Sequence, residues 1–131
     1  MPETEYAKTL LAMAHKDFDA LRGMVGNPLF ADEIFGFHAQ QAIEKSLKAW
    51  LALHAVEFPH THDLSRLMAL LEEVGAQEIN TYLHLVEFNM FAVQARYEAG
   101  LLDDEQALDR PTITSEVQTL LLTVENLALS G

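Results

Sequence analysis

One stretch limits what this chain can fold into: Phe35 to Leu53, which reads FGFHAQQAIEKSLKAWLAL. It has no proline, no glycine after Gly36, and no adjacent charges except Glu44 and Lys45. On a helix, Phe35, Ala39, Ala42, Ser46, Ala49 and Leu53 recur at steps of four and three, and so form one stripe. Ile43, Leu47, Trp50 and Leu51 form a second stripe beside it. A helix apolar over more than half its circumference has neighbours on several sides. The spacing therefore predicts the central helix of a bundle. One polar face is left over, made of His38, Gln41, Glu44, Lys45 and Lys48.

The flanking segments supply the neighbours. Ala7, Leu11, Ala14, Phe18 and Leu21 predict a helix over Glu3 to Arg22, ended by Gly23, Gly26, Asn27 and Pro28. The central helix is expected to start near Phe30 to Glu33 and to run to about Val56, with Pro59 as its stop. A short helix follows, with Leu64, Leu67, Met68, Leu71 and Val74 inward. Thr61 or His62 is its expected N-cap, Asp63 lies in its first turn and Gly75 ends it. Ile79, Leu83, Val86, Met90, Val93 and Tyr97 predict a further α-helix from Glu78 to Ala99. Residues 100–108 read as a loop holding the acidic trio Asp103, Asp104 and Glu105. Asp109 then caps a last helix with Pro111 in its first turn and Ile113, Val117, Leu120, Val124 and Leu127 on its inner face. No segment alternates like a half-buried strand. The expected architecture is all-α: an up-and-down antiparallel bundle of four to five helices, forming a single domain over residues 1–131.

Charge narrows the function. Eight basic and 20 acidic residues give a net charge of −12. An extended basic track for nucleic acid is excluded, since such binding needs many lysines and arginines against phosphates; a local basic pocket is not. There is no cysteine, so neither a disulfide nor a thiolate metal site can form. No window reaches the roughly 18 apolar residues of a membrane span. The opening MPETEYAKTL has acids where a secretory leader would be basic, so a cytoplasmic location is expected.

Chemistry-bearing candidates are few. His54, His60 and His62, with Asp63, could reach one metal ion, but P-H-T-H-D also reads as a loop and helix cap, and no H-E-x-x-H is present. No metal site and no cofactor are expected. His15, His38 and His84 stand alone on helices and read as surface or boundary residues. Nucleophile elbows and phosphate-cradling glycine loops are absent. The polar strip of the central helix has two readings. One is a small anion or nucleotide-phosphate pocket built from Lys45, Lys48, His38 and Gln41, with Arg96 and Arg66 from neighbouring helices. The other, favoured by spacing alone, is a solvated face with an internal Glu44–Lys48 pair.

Three motifs in order then resemble one family. Phe37-His38-Ala39-Gln40-Gln41-Ala42 with Glu44-Lys45 and Leu47-Lys48-Ala49 is similar to the signature helix of HEPN domains. Thr61-His62-Asp63-Leu64 with Leu67 resembles the family's T-H-D-L helix start, and Ala95-Arg96-Tyr97 its A-R-Y helix end. The resemblance implies a helical bundle, commonly a homodimer, encoded with or fused to a minimal nucleotidyltransferase in toxin–antitoxin modules. Some members are metal-independent ribonucleases that use an Arg followed, after four to six residues, by a His. That chemistry needs a cation to hold phosphate and an imidazole to move a proton. No Arg here is followed by His at that distance, the positions after Arg96 are Leu101, Leu102 and Asp103, and Glu98 replaces the usual proline. The expectation is a non-catalytic partner or binding module, with a nucleotide held through Lys45, Lys48 and Arg96. Two alternatives remain: a ribonuclease toxin with a rearranged site using His62 or His38 with Arg96, and an adaptor with no small-molecule site. A dimer is also suggested by the large side chains Trp50, Phe88 and Phe91.

Overall fold

A computed structural model describes residues 2–92 and 108–130. Helix α1 spans Pro2–Met24, α2 Asp32–Leu53, α3 Leu64–Glu73 and α4 Arg110–Ser130, and a 3-10 helix spans Gln77–Phe91 between α3 and α4. No strand occurs among the described residues. The expected all-α bundle is the observed one. Thirteen of the 22 residues of α2 are buried, and α1, α3, α4 and the 3-10 helix all pack on it. The stripe of α1 (Ala7, Leu11, Ala14, Phe18, Leu21) is buried throughout, as the spacing predicts.

Helix ends explain how the chain returns to α2. The central helix stops at Leu53, short of Val56 and well before Pro59. Ala55 N–H donates to Ala52 C=O (2.9 Å) and Val56 N–H to Leu51 C=O (3.0 Å), a Schellman closure. The closure puts Ala55 at φ 57°, in the left-handed region where a Cβ is costly. The same closure ends α3 (Gly75 N–H to Glu72 C=O, Ala76 N–H to Leu71 C=O), with the expected Gly75 at φ 78°. Between the two helices, residues 54–63 form a strap that turns back along α2, so that α3 begins beside the middle of α2.

The cap of α3 is Asp63, not Thr61 or His62. Its Oδ1 accepts from the Ser65 hydroxyl (2.6 Å), the Ser65 N–H (3.0 Å) and the Asn89 amide (2.9 Å). The Asn89 side chain also accepts the Leu64 N–H (2.7 Å), so the 3-10 helix supplies part of the cap. The Ser65 hydroxyl, helped by Asn89 and the Ser65 and Arg66 N–H groups and opposed by burial, holds the Asp63 carboxyl below its ordinary 3.8. A depressed value stabilises the fold fully above 3.8, and that contribution disappears as pH falls through the folded-state value. Asp63→Ala is therefore expected to lose about 1 kcal/mol at neutral pH. In urea unfolding, the gap between wild type and Asp63→Asn should narrow as pH falls below 3.8.

The segment after α3 departs from the expected α-helix. It is a 3-10 helix, whose side chains repeat every three residues. Ile79, Tyr82, Leu85, Phe88 and Phe91 are buried at steps of three, whereas Leu83 and Val86 are half-buried and Met90 is exposed. The segment carries two superimposed apolar patterns, and the one containing the three aromatic rings takes the core. Val93, Tyr97 and the rest of the predicted stretch lie outside the described residues. Phe91 packs onto Gly36 of α2, where an added methyl would run into its ring at Cγ, Cδ1 and Cε1. Gly36→Ala is expected to lose up to about 2 kcal/mol, the balance of an overpacking cost of about 1–3 kcal/mol against a helix-propensity gain of about 1 kcal/mol. A lower urea midpoint measures it.

Trp50, Phe88 and Phe91 are all buried within one chain. These three rings therefore carry no argument for a dimer. The α1–α2 turn is tied to the start of α4 by Arg110. Its Nε and Nη2 donate to Asp32 Oδ1 (3.2 and 3.0 Å), Nη1 to the carbonyls of Met24 and Asn27 (2.9 and 3.3 Å), and Nη2 also to the Phe30 carbonyl. All five guanidinium donors are used, and the group lies over the Phe35 ring.

Candidate functional site

The polar face of α2 is largely covered, not solvated. Residues 54–63 cross it on one side and α1 on the other. Two carboxylates organise it, each shared by one lysine and one histidine. On the α1 side, Asp17 Oδ2 accepts from Lys45 Nζ (2.6 Å) and Oδ1 faces His38 Nδ1 (2.9 Å). On the strap side, Glu44 Oε2 accepts from Lys48 Nζ (3.0 Å) and Oε1 faces His62 Nδ1 (2.9 Å). Glu44 Oε1 also accepts from Gln40 Nε2 (3.0 Å), which donates as well to the His62 carbonyl (3.1 Å).

Position on the helix explains the split. Asp17 follows Ala14 by three residues and precedes Leu21 by four, so it rides on the buried stripe of α1. There it meets Lys45 and His38 across the interface. Glu44 sits next to Ile43, on the edge between the apolar and polar faces, with its side chain only 5% exposed. A carboxylate so buried needs several hydrogen bonds to remain in place, and Lys48, His62 and Gln40 provide them.

The candidate residues fall out as follows. Lys45 and His38 meet on Asp17, while Lys48 is held by Glu44 one turn away. Gln41 donates to Gln40 Oε1 (2.7 Å) and so joins the Glu44 group. The lysine side chains are 19% and 15% exposed. Arg96 and the acidic trio at 103–105 lie outside the described residues. Asp17, Gln40 and His62 join the expected residues on this face. The signal for Asp17 was a charge placed inside an otherwise apolar stripe.

His15, His38 and His84 lie at the surface or its boundary, as expected, and each also meets a carboxylate. His15 meets Glu125 of α4 (2.7 Å), His38 meets Asp17 of α1 and His84 meets Glu116 of α4. With His62 on Glu44, four of the six join a carboxylate on another element. Among the described residues no three His, Asp or Glu side chains converge as a metal ion would require. His62 is engaged with Glu44 rather than grouped with His54 and His60.

Fold and site define an all-helical bundle whose central helix carries an internally paired polar face, with the strap before α3 docked onto it. A family model, HEPN domain, matches residues 7–127, and the chain belongs to that family. No curated protein and no solved structure matches it. No helix among the described residues is long and apolar enough to cross a membrane.

Proposed function

We propose that this chain is a non-catalytic HEPN partner module. In this reading it forms a homodimer, works beside a minimal nucleotidyltransferase in a toxin–antitoxin-like pair, and binds a nucleotide by its phosphate. One observation carries the reading: the motif residues of α2 and the strap are engaged with one another. Gln40 and Glu44 hold His62, Lys48 pairs with Glu44, and Asp63 caps α3, so the motifs serve a scaffold. The Arg-x4–6-His pair of the ribonucleases is absent from the sequence.

Phosphate has a defined place to compete in this arrangement. Lys45 and Lys48 present ammonium tips flanked by His38 and Gln41, and Arg96 is the further cation of the proposed set. Asp17 already neutralises Lys45, so a phosphate has to share or displace it. Asp17→Asn is therefore expected to tighten nucleotide binding about fivefold, the equivalent of a partly exposed ion pair, and Lys45→Gln to weaken it by a similar factor. Calorimetric titration with ATP and AMP reads both. Equal affinities in wild type and both variants would remove the pocket from the proposal. Co-purification with a nucleotidyltransferase encoded beside this chain tests the partner.

A second reading draws on His62. Glu44 engages its Nδ1, which leaves Nε2 as the nitrogen for an incoming group, and the side chain is 62% exposed. A carboxylate-oriented imidazole of this kind suits proton transfer. RNA cleavage that survives a chelator and vanishes in Arg96→Ala and His62→Ala would favour a rearranged ribonuclease over the partner module. The partner module predicts no cleavage.

A further inference from the structure

We propose that a second site, separate from the polar face of α2, binds an organic cation: a guanidinium or ammonium group on a short aliphatic chain. The site is a cleft of about 460 Å³ between the start of α1 and the strap that follows α2. Its walls are Glu3 and Tyr6 from α1 and Glu57, Phe58 and His60 from the strap, over a floor of Ala52, Ala55 and Val56.

Two independent features point to the ligand class. The rings of Tyr6 and Phe58 both line the cleft, with their faces nearly parallel, 10° apart, and centroids at 6.3 Å. Such faces attract cations through their quadrupole. Phe58 already receives one, since Lys48 Nζ lies 5.9 Å from its centroid. Lys48 is neutralised by Glu44 and does not line the cleft, so it adds little repulsion there. The two carboxylates are the second feature. Glu3 and Glu57 line the cleft without any lysine or arginine, and neither makes an ion pair among the described residues. An anionic phosphate is repelled by this lining. The floor includes Ala55, the left-handed residue that closes α2.

The geometry divides the work. The ring pair takes the delocalised or compact charge, Glu57 and Glu3 accept its N–H donors, and Val56 with the alanines receives the methylenes. A guanidinium fits best, because it both stacks on a ring and donates in a fork to a carboxylate.

Amide chemical-shift titration of the full chain tests this. The probes are agmatine, N-acetyl-arginine amide and the uncharged butylurea. Shifts from agmatine should be confined to residues 3–6 and 52–60. Tyr6→Ala and Glu57→Gln should each weaken binding about threefold to thirtyfold, the range of one cation–π or charge-assisted contact. Tyr6→Phe should retain it. Tyr6 is half exposed, so the variants are expected to stay folded, which the unchanged shifts of α4 would verify. Saturation by both cations identifies the group as one that a protein side chain can supply, and saturation by agmatine alone identifies a free amine. Butylurea binding as well as agmatine, or affinities unmoved by Tyr6→Ala and Glu57→Gln, would overturn the site.

Discussion

Glu44→Ala is expected to lose about 3 kcal/mol of folding stability, the low end of what breaking a buried charge pair costs. The carboxylate is almost wholly buried and accepts from Lys48, His62 and Gln40 at 2.9–3.0 Å. Alanine would leave the Lys48 ammonium without its partner and the wholly buried Gln40 amide with one contact fewer. Lys48 retains some exposure and can turn outward, which keeps the loss from the upper end. The effect has a location as well as a size. Because Glu44 and Gln40 hold the strap through His62, hydrogen exchange should accelerate over residues 54–66 before it does in the middle of α1. Glu44→Gln should fall between, since its single carbonyl oxygen can accept on the Gln40 and His62 side or from Lys48 but not on both sides, and it carries no charge.

Arg110→Ala is expected to lose about 2–4 kcal/mol, read as a lower urea midpoint with an unchanged slope. The guanidinium satisfies three backbone carbonyls in or next to the α1–α2 turn and the Asp32 carboxylate, which also accepts the Leu108 N–H (3.2 Å). Alanine strands those acceptors and removes the cation over Phe35. Lysine should restore little. Its three donors on a flexible stem cannot reproduce a planar fork aimed at four acceptors. A lysine variant as stable as wild type would show that charge alone, and not geometry, ties α4 to the turn.

What could be read in the residues and what could not follows from the range of each signal. Helical faces depend on spacing within a dozen residues, and those of α1 and α2 were legible: Ala7 to Leu21 and Phe35 to Ala49 are buried as their spacing implies. The stop of α2 was misplaced because Pro59 is an obvious breaker, whereas Ala55 in a left-handed turn carries no compositional mark. The 3-10 helix was missed because residues 79–91 satisfy two periods at once, and only packing chooses the set with Tyr82, Phe88 and Phe91.

The polar strip was read from one helix, and one helix cannot say what stands opposite. Lys45 and Lys48 looked like a solvated or anion-seeking row. Asp17, 28 residues earlier, and His62, 18 residues after Glu44, turn that row into two paired groups. The Arg110–Asp32 tie spans 78 residues and had no local signal at all. The motif resemblance identified the family correctly, and in this chain the signature helix and the T-H-D-L start form one hydrogen-bonded unit.

The central claim is that the polar face of α2 is paired inward. A double-mutant cycle on Glu44→Gln and Lys48→Met, read by urea unfolding, addresses it most directly. Inward pairing predicts a coupling of about 1 kcal/mol or more, within the range found for contacting charged groups. Single losses that simply add, to within about 0.3 kcal/mol, would mean that the two side chains do not act together and that the face is open to solvent.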